Sequence, residues 1–69
     1  MFNQIKTTKR IEIQLNRIDA FTAASKLKAL PGIEGASIVT VKQLRVKYKH
    51  KYITAAEILH AVGGELINN

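Results

Sequence analysis

Apolar and polar positions alternate over three stretches of this chain and follow a helical spacing over two others. Ile11, Ile13 and Leu15 alternate with Glu12 and Gln14, the period-two pattern of a strand with one buried face. Beyond Asn16-Arg17-Ile18-Asp19, the residues Ala20, Ala23, Ala24, Leu27 and Leu30 form a helical stripe, which Pro31 and Gly32 bring to an end. A second strand follows, with Ala36, Ile38 and Thr40 in one phase and Ser37, Val39 and Val41 in the other. After a turn at Lys42-Gln43, Leu44, Val46 and Tyr48 alternate with Arg45, Lys47 and Lys49, which closes a hairpin, although Lys-Gln is not a favoured turn pair. Thr54 stands three residues before Glu57, the spacing of a capping box. Ala55, Ile58, Leu59 and Val62 then recur at helical intervals before Gly63-Gly64. A short last strand over 65–68 completes the order β-α-β-β-α-β.

That order predicts an α+β fold, a ferredoxin-like sandwich in which a four-stranded antiparallel sheet carries two helices on one face. An internal match points the same way: Phe21-Thr-Ala-Ala-Ser-Lys-Leu-Lys-Ala-Leu30 aligns with Ile53-Thr-Ala-Ala-Glu-Ile-Leu-His-Ala-Val62 at Thr, Ala, Ala, Leu and Ala. Two alanine-rich helices would also look alike without any duplication. The 69 residues are expected to form a single domain, with residues 1–8 as a flexible tail. At that length one core only narrowly offsets chain entropy.

Eleven Lys and Arg against five Asp and Glu give a net charge of +6, which favours an anionic partner. The chain has no cysteine, so it has neither a disulfide framework nor a thiolate site for a soft metal. The first ten residues are polar and mixed, unlike a signal peptide. No apolar run approaches the roughly 20 residues of a membrane span, so a cytoplasmic location is expected.

Through Leu30-Pro-Gly-Ile33, Ala36-Ser-Ile38, Leu44-Arg-Val-Lys-Tyr48 and Ile53-Thr-Ala-Ala-Glu-Ile58, the chain resembles the heavy-metal-associated domains of metallochaperones and of copper- and zinc-transporting P-type ATPases. These segments span most of residues 10–66. The resemblance implies delivery of Cu(I), Zn(II) or similar ions between docked partners. The family's metal loop, glycine-methionine-x-cysteine-x-x-cysteine, would put its cysteines near Asn16 and Asp19, and neither matches, so no metal ligand carries over. An amide oxygen and one carboxylate are too hard and too few for such ions, and Arg17 between them repels a cation. Asn16-x-x-Asp19 reads instead as a helix N-cap with an acidic residue in the first turn.

His50 and His60 are the other candidate metal ligands. His60 lies off the helical stripe and His50 at the end of the third strand, so the spacing does not bring them together. No catalytic triad, paired-carboxylate cleft or phosphate-binding glycine loop is apparent, so neither enzymatic activity nor a cofactor is expected.

Two surfaces remain. Arg45, Lys47 and Lys49 share one face of the expected central strand, with Arg10 on the first strand as a neighbour, and the helices leave that face uncovered. Lys51 and Tyr52 follow close by. The arrangement suits phosphate contacts, whereas Tyr48 has the core-facing phase and so cannot stack bases there. The second surface is the uncharged run 36–41, where Val39 and Val41 would point outward if the second strand is an edge. The expected function is therefore a non-catalytic module related to metal handling, which docks a protein or pairs with itself through the second strand. The alternative is a small nucleic-acid-binding protein acting through Arg10, Arg45, Lys47 and Lys49.

Overall fold

The computed structural model describes residues 8–67, and within them the six expected elements follow in the expected order. Strand β1 runs Thr8–Leu15, helix α1 Ala20–Lys28, strands β2 and β3 Ile33–Thr40 and Gln43–Lys49, helix α2 Ala55–Val62, and strand β4 Gly64–Leu66. The four strands form one sheet in the order β2-β3-β1-β4, every neighbouring pair antiparallel. This is the ferredoxin-like βαββαβ arrangement, with β3 and β1 central and β2 and β4 at the edges. No helix among the described residues is long and apolar enough to cross a membrane.

Alternation along the two central strands supplies the sheet's half of the core: Ile13 and Leu15 from β1, and Leu44, Val46 and Tyr48 from β3. The helices cover this face with Ala20, Ala23, Ala24 and Leu27 from α1 and with Ile58 and Val62 from α2. Three of the four buried residues of α1 are alanines, which place little side-chain bulk between the helix backbone and the sheet. Neither edge strand contributes a fully buried side chain.

The ends of the elements are fixed by local chemistry. Asp19 is the N-cap of α1, its carboxylate accepting the Thr22 N–H at 2.8 Å. Asn16 is not the cap; it lies in the loop and donates to the Glu65 carboxylate at 3.2 Å, and no acidic residue occupies the first turn of α1. The helix ends at Lys28, earlier than the stripe to Leu30 suggested, and Gly32 then turns the chain with a φ of 91°. At α2 the capping box is complete: Thr54 Oγ1 accepts from Glu57 N–H, and the Glu57 carboxylate accepts from Thr54 N–H at 2.9 Å. Gly63 closes the helix in the left-handed conformation.

Three expectations are corrected. Thr8 belongs to β1 and pairs with Lys49, so it is not part of a tail; residues 1–7, and Asn68 of the expected last strand, lie outside the described residues. The hairpin turn is Val41-Lys42, one residue earlier than expected, with Thr40 opposite Gln43. Finally, β2 holds one residue more than β3 at two places, Glu34 and Val39. The extra residue at Val39 moves Thr40 out of phase with Ala36 and Ile38, onto the other face of the sheet. The reason lies in the turn: no residue of Val41-Lys42 has a positive φ, so this is not one of the primed turns that match strand twist, and an adjacent bulge takes up the mismatch.

The internal sequence match does not fall on equivalent positions. Thr54 is the N-cap of α2, whereas its counterpart Thr22 lies three residues inside α1, beyond the cap Asp19. The pseudo-symmetry of the fold thus does not bring the repeated letters onto equivalent helix positions.

Candidate functional site

The open face of the sheet is polar throughout, because strand alternation turns the partners of the core residues to solvent. Its rows follow from the register: Thr8 opposite Lys49, Arg10 opposite Lys47, Glu12 opposite Arg45, and Gln14 opposite Gln43. Arg10, Arg45, Lys47 and Lys49 are thereby brought together on one face.

They are not equivalent. Arg45 is held by Glu12, both Nε and Nη2 reaching the same carboxylate oxygen at 3.1 and 2.9 Å. Lys49 lies 3.6 Å from the Glu34 carboxylate, which also receives the Thr8 hydroxyl. Arg10 and Lys47 stand directly opposite each other and, among the described residues, pair with no acid. Thr8, Arg10, Glu34 and Lys47 line a shallow depression there, and Gly35, opposite Lys47, leaves open space above the strand. Glu12 and Glu34 were not singled out from the sequence. Glu12 has the strand phase of Arg10, but its pairing with Arg45 depends on register, which alternation leaves free.

A second surface forms where β1 hands over to α1. The Val41 carbonyl accepts the Ala20 N–H at 2.8 Å and the Lys42 carbonyl accepts the Leu15 N–H at 2.8 Å, so the β2–β3 turn is tied to the start of α1. Around this junction large apolar side chains remain in solvent: Phe21 is 64% exposed, Ile38 42%, Val39 44% and Val41 58%. β2 is an edge strand, as the outward reading of Val39 required. Val41, however, sits in the turn rather than in the strand. The exposed Phe21 was legible as an aromatic off the Ala20, Ala23, Ala24 and Leu27 stripe. Lys42, next to Val41 and near Asp19, is exposed and gives this end a basic border, whereas the Arg17 side chain lies against Gly63 at the end of α2.

The residues at the positions of the family's metal loop do not fit a soft cation. The Asn16 amide donates to Glu65, and the Asp19 carboxylate is committed to capping. The hydrogen bonds from Thr22, aided by Lys42, hold the pKa of the Asp19 carboxyl below its ordinary value. His50 lies exposed in the turn after β3, and His60 lies exposed in the last turn of α2. Among the described residues no three His, Asp or Glu side chains come together in a group that could hold a metal ion.

Compared with known protein families, curated proteins and solved structures, the chain matches none of them. Its class is set by architecture alone, a small ferredoxin-like α+β sandwich with one covered and one open sheet face.

Proposed function

We propose that this chain is a non-catalytic cytoplasmic interaction module of the metal-handling type, similar to heavy-metal-associated domains but working without a metal. It docks a protein through the end formed by Phe21, Ile38, Val39 and Val41, either a second copy or a cytoplasmic domain of a metal transporter. The observation that carries this reading is the group of four large apolar side chains left in solvent around one backbone junction. An apolar centre with Lys42 at its border has the make-up of a docking patch, and the net charge of +6 favours an acidic counterpart.

The side chains, rather than the free strand edge, are the docking element. The regular ladder of β2 covers only Gly35, Ala36, Ser37 and Ile38 before the extra residues at Glu34 and Val39 break it, and such bulges blunt an edge against strand addition. The test is sedimentation equilibrium of the native chain and of Val39→Lys across a range of concentrations. A mass that rises with concentration in the native chain and stays monomeric in the variant supports self-pairing. A strict monomer overturns self-pairing; titration with the soluble cytoplasmic domain of a metal-transporting ATPase, read at the amides of residues 21 and 38–41, then decides the other half.

Nucleic-acid binding through the open face is the second reading, favoured by the juxtaposition of Arg10 and Lys47. It is weakened because Arg45 and Lys49 already have acidic partners.

A further inference from the structure

Directly opposed like charges on neighbouring strands work against sheet stability. Arg10 and Lys47 form such a pair on the two central strands. On one side of them the row is neutralised by Glu12 with Arg45, and on the other by Glu34 with Lys49. Among the described residues, the fourfold basic face of the sequence thus reduces to one dication without an ion-pair partner, between two ion pairs. Above it the surface is open, because Gly35 supplies no side chain and a Cβ there would meet nothing within 4 Å.

We propose that Arg10 and Lys47 bind a single phosphate group carried by a small anionic ligand. The guanidinium offers a planar fork of donors and the ammonium a point charge, a combination suited to the oxygens of one phosphate. The flanking ion pairs limit the ligand's size. Beyond Arg10 and Lys47 a polyanion laid across the sheet would meet Arg45 and Lys49 already matched by Glu12 and Glu34, so a run of phosphates gains little over an isolated one. Glu34 lines the same depression. Its carboxylate, engaged by Thr8 and Lys49, sets an upper limit on affinity and makes the site selective for placement as well as charge. This site is on the sheet face and is independent of the apolar docking end.

The test is an amide NMR titration with inorganic phosphate and with a nucleoside monophosphate at constant ionic strength. Saturable shifts centred on Arg10, Gly35 and Lys47 are expected. Lys47→Gln should weaken binding by about fivefold or more, in line with loss of one exposed charge contact. Glu34→Gln should tighten it, and Lys28→Gln, which removes the same charge from α1, should leave it unchanged. Binding should also strengthen as pH rises through about 6, where a phosphate monoester gains its second charge. The proposal is overturned if Lys28→Gln weakens binding as much as Lys47→Gln, since only net charge would then be at work. It is equally overturned if a single-stranded oligonucleotide binds more tightly per phosphate and spreads the shifts over Arg45 and Lys49, which is the behaviour of a nucleic-acid track.

Discussion

Glu12 and Arg45 face each other across the two central strands, and the guanidinium meets one carboxylate oxygen through two nitrogens, the closer at 2.9 Å. Both side chains are about half exposed, so the pair adds little to stability: a double-mutant cycle with Glu12→Gln and Arg45→Gln is expected to give a coupling below about 1 kcal/mol. Its larger effect is on the face itself. Glu12→Gln releases Arg45 and should raise retention on a single-stranded nucleic-acid column at low salt, an increase that fades as salt is added.

The complete capping box at Thr54 and Glu57 anchors the start of α2 on a short helix that has no length to spare. Thr54→Ala removes the side-chain acceptor for Glu57 N–H and is expected to cost about 1 kcal/mol. For a domain of this size that is a fall in midpoint of about 4–8 °C in a thermal melt.

How much of this was legible in the sequence depends on range. Strand phases, both helices and the capping box follow from residues a few positions apart, and the structure places them in the expected order. That Arg10 neighbours the basic residues of β3 also followed, because a ferredoxin-like order makes β1 and β3 neighbours; that it stands opposite Lys47 is a matter of register and did not. The bulge at Val39 did not, since it arises from the handedness of the Val41-Lys42 turn and no glycine marks it. The neutralisation of Arg45 and Lys49 was hidden for a related reason: it needs the exact register of Glu12 and the extra residue Glu34 in β2. Asp19 was assigned to the first turn rather than to the cap because Asn16 and Asp19 are both good N-cap residues, and only the position where β1 stops chooses between them.

At Gly64, β4 runs against β1 so closely that a Cβ would overlap the Ile13 side chain and press on the Gln14 carbonyl at 3.0 Å. Ile13 is fully buried and Gln14 is backbone in a central strand, so neither can move away at small cost. Gly64→Ala is therefore expected to destabilise by about 1–3 kcal/mol, as overpacking does, with the loss visible as a lower urea midpoint and an unchanged slope.

Acid should loosen the start of α1. The Asp19 carboxyl is held below its ordinary value by Thr22, with help from Lys42, so the folded chain binds this proton less readily than the unfolded chain. The contribution is complete above the unfolded value of about 3.9 and is lost as pH falls through the lowered folded value. Native chain and Asp19→Asn are expected to differ in thermal midpoint at neutral pH and to converge in acid, once the pH has fallen through the lowered folded value and the carboxylate is protonated. A difference that stayed constant from neutral to strongly acid pH would show that the charge of Asp19 has no part in the cap.

Phe21 separates docking from folding. Its ring is 64% exposed on the second residue of α1, beside the Ala20 N–H that binds Val41, so it adds little to the core. Phe21→Ser is expected to shift stability by no more than about 0.5 kcal/mol, as surface changes do. The same change removes the largest apolar side chain of the proposed docking end, and should weaken association in sedimentation at least as strongly as Val39→Lys. If the variant melts normally and associates normally, the apolar end is not the docking surface. If it melts far below the native chain, Phe21 is a packing residue and not a docking one.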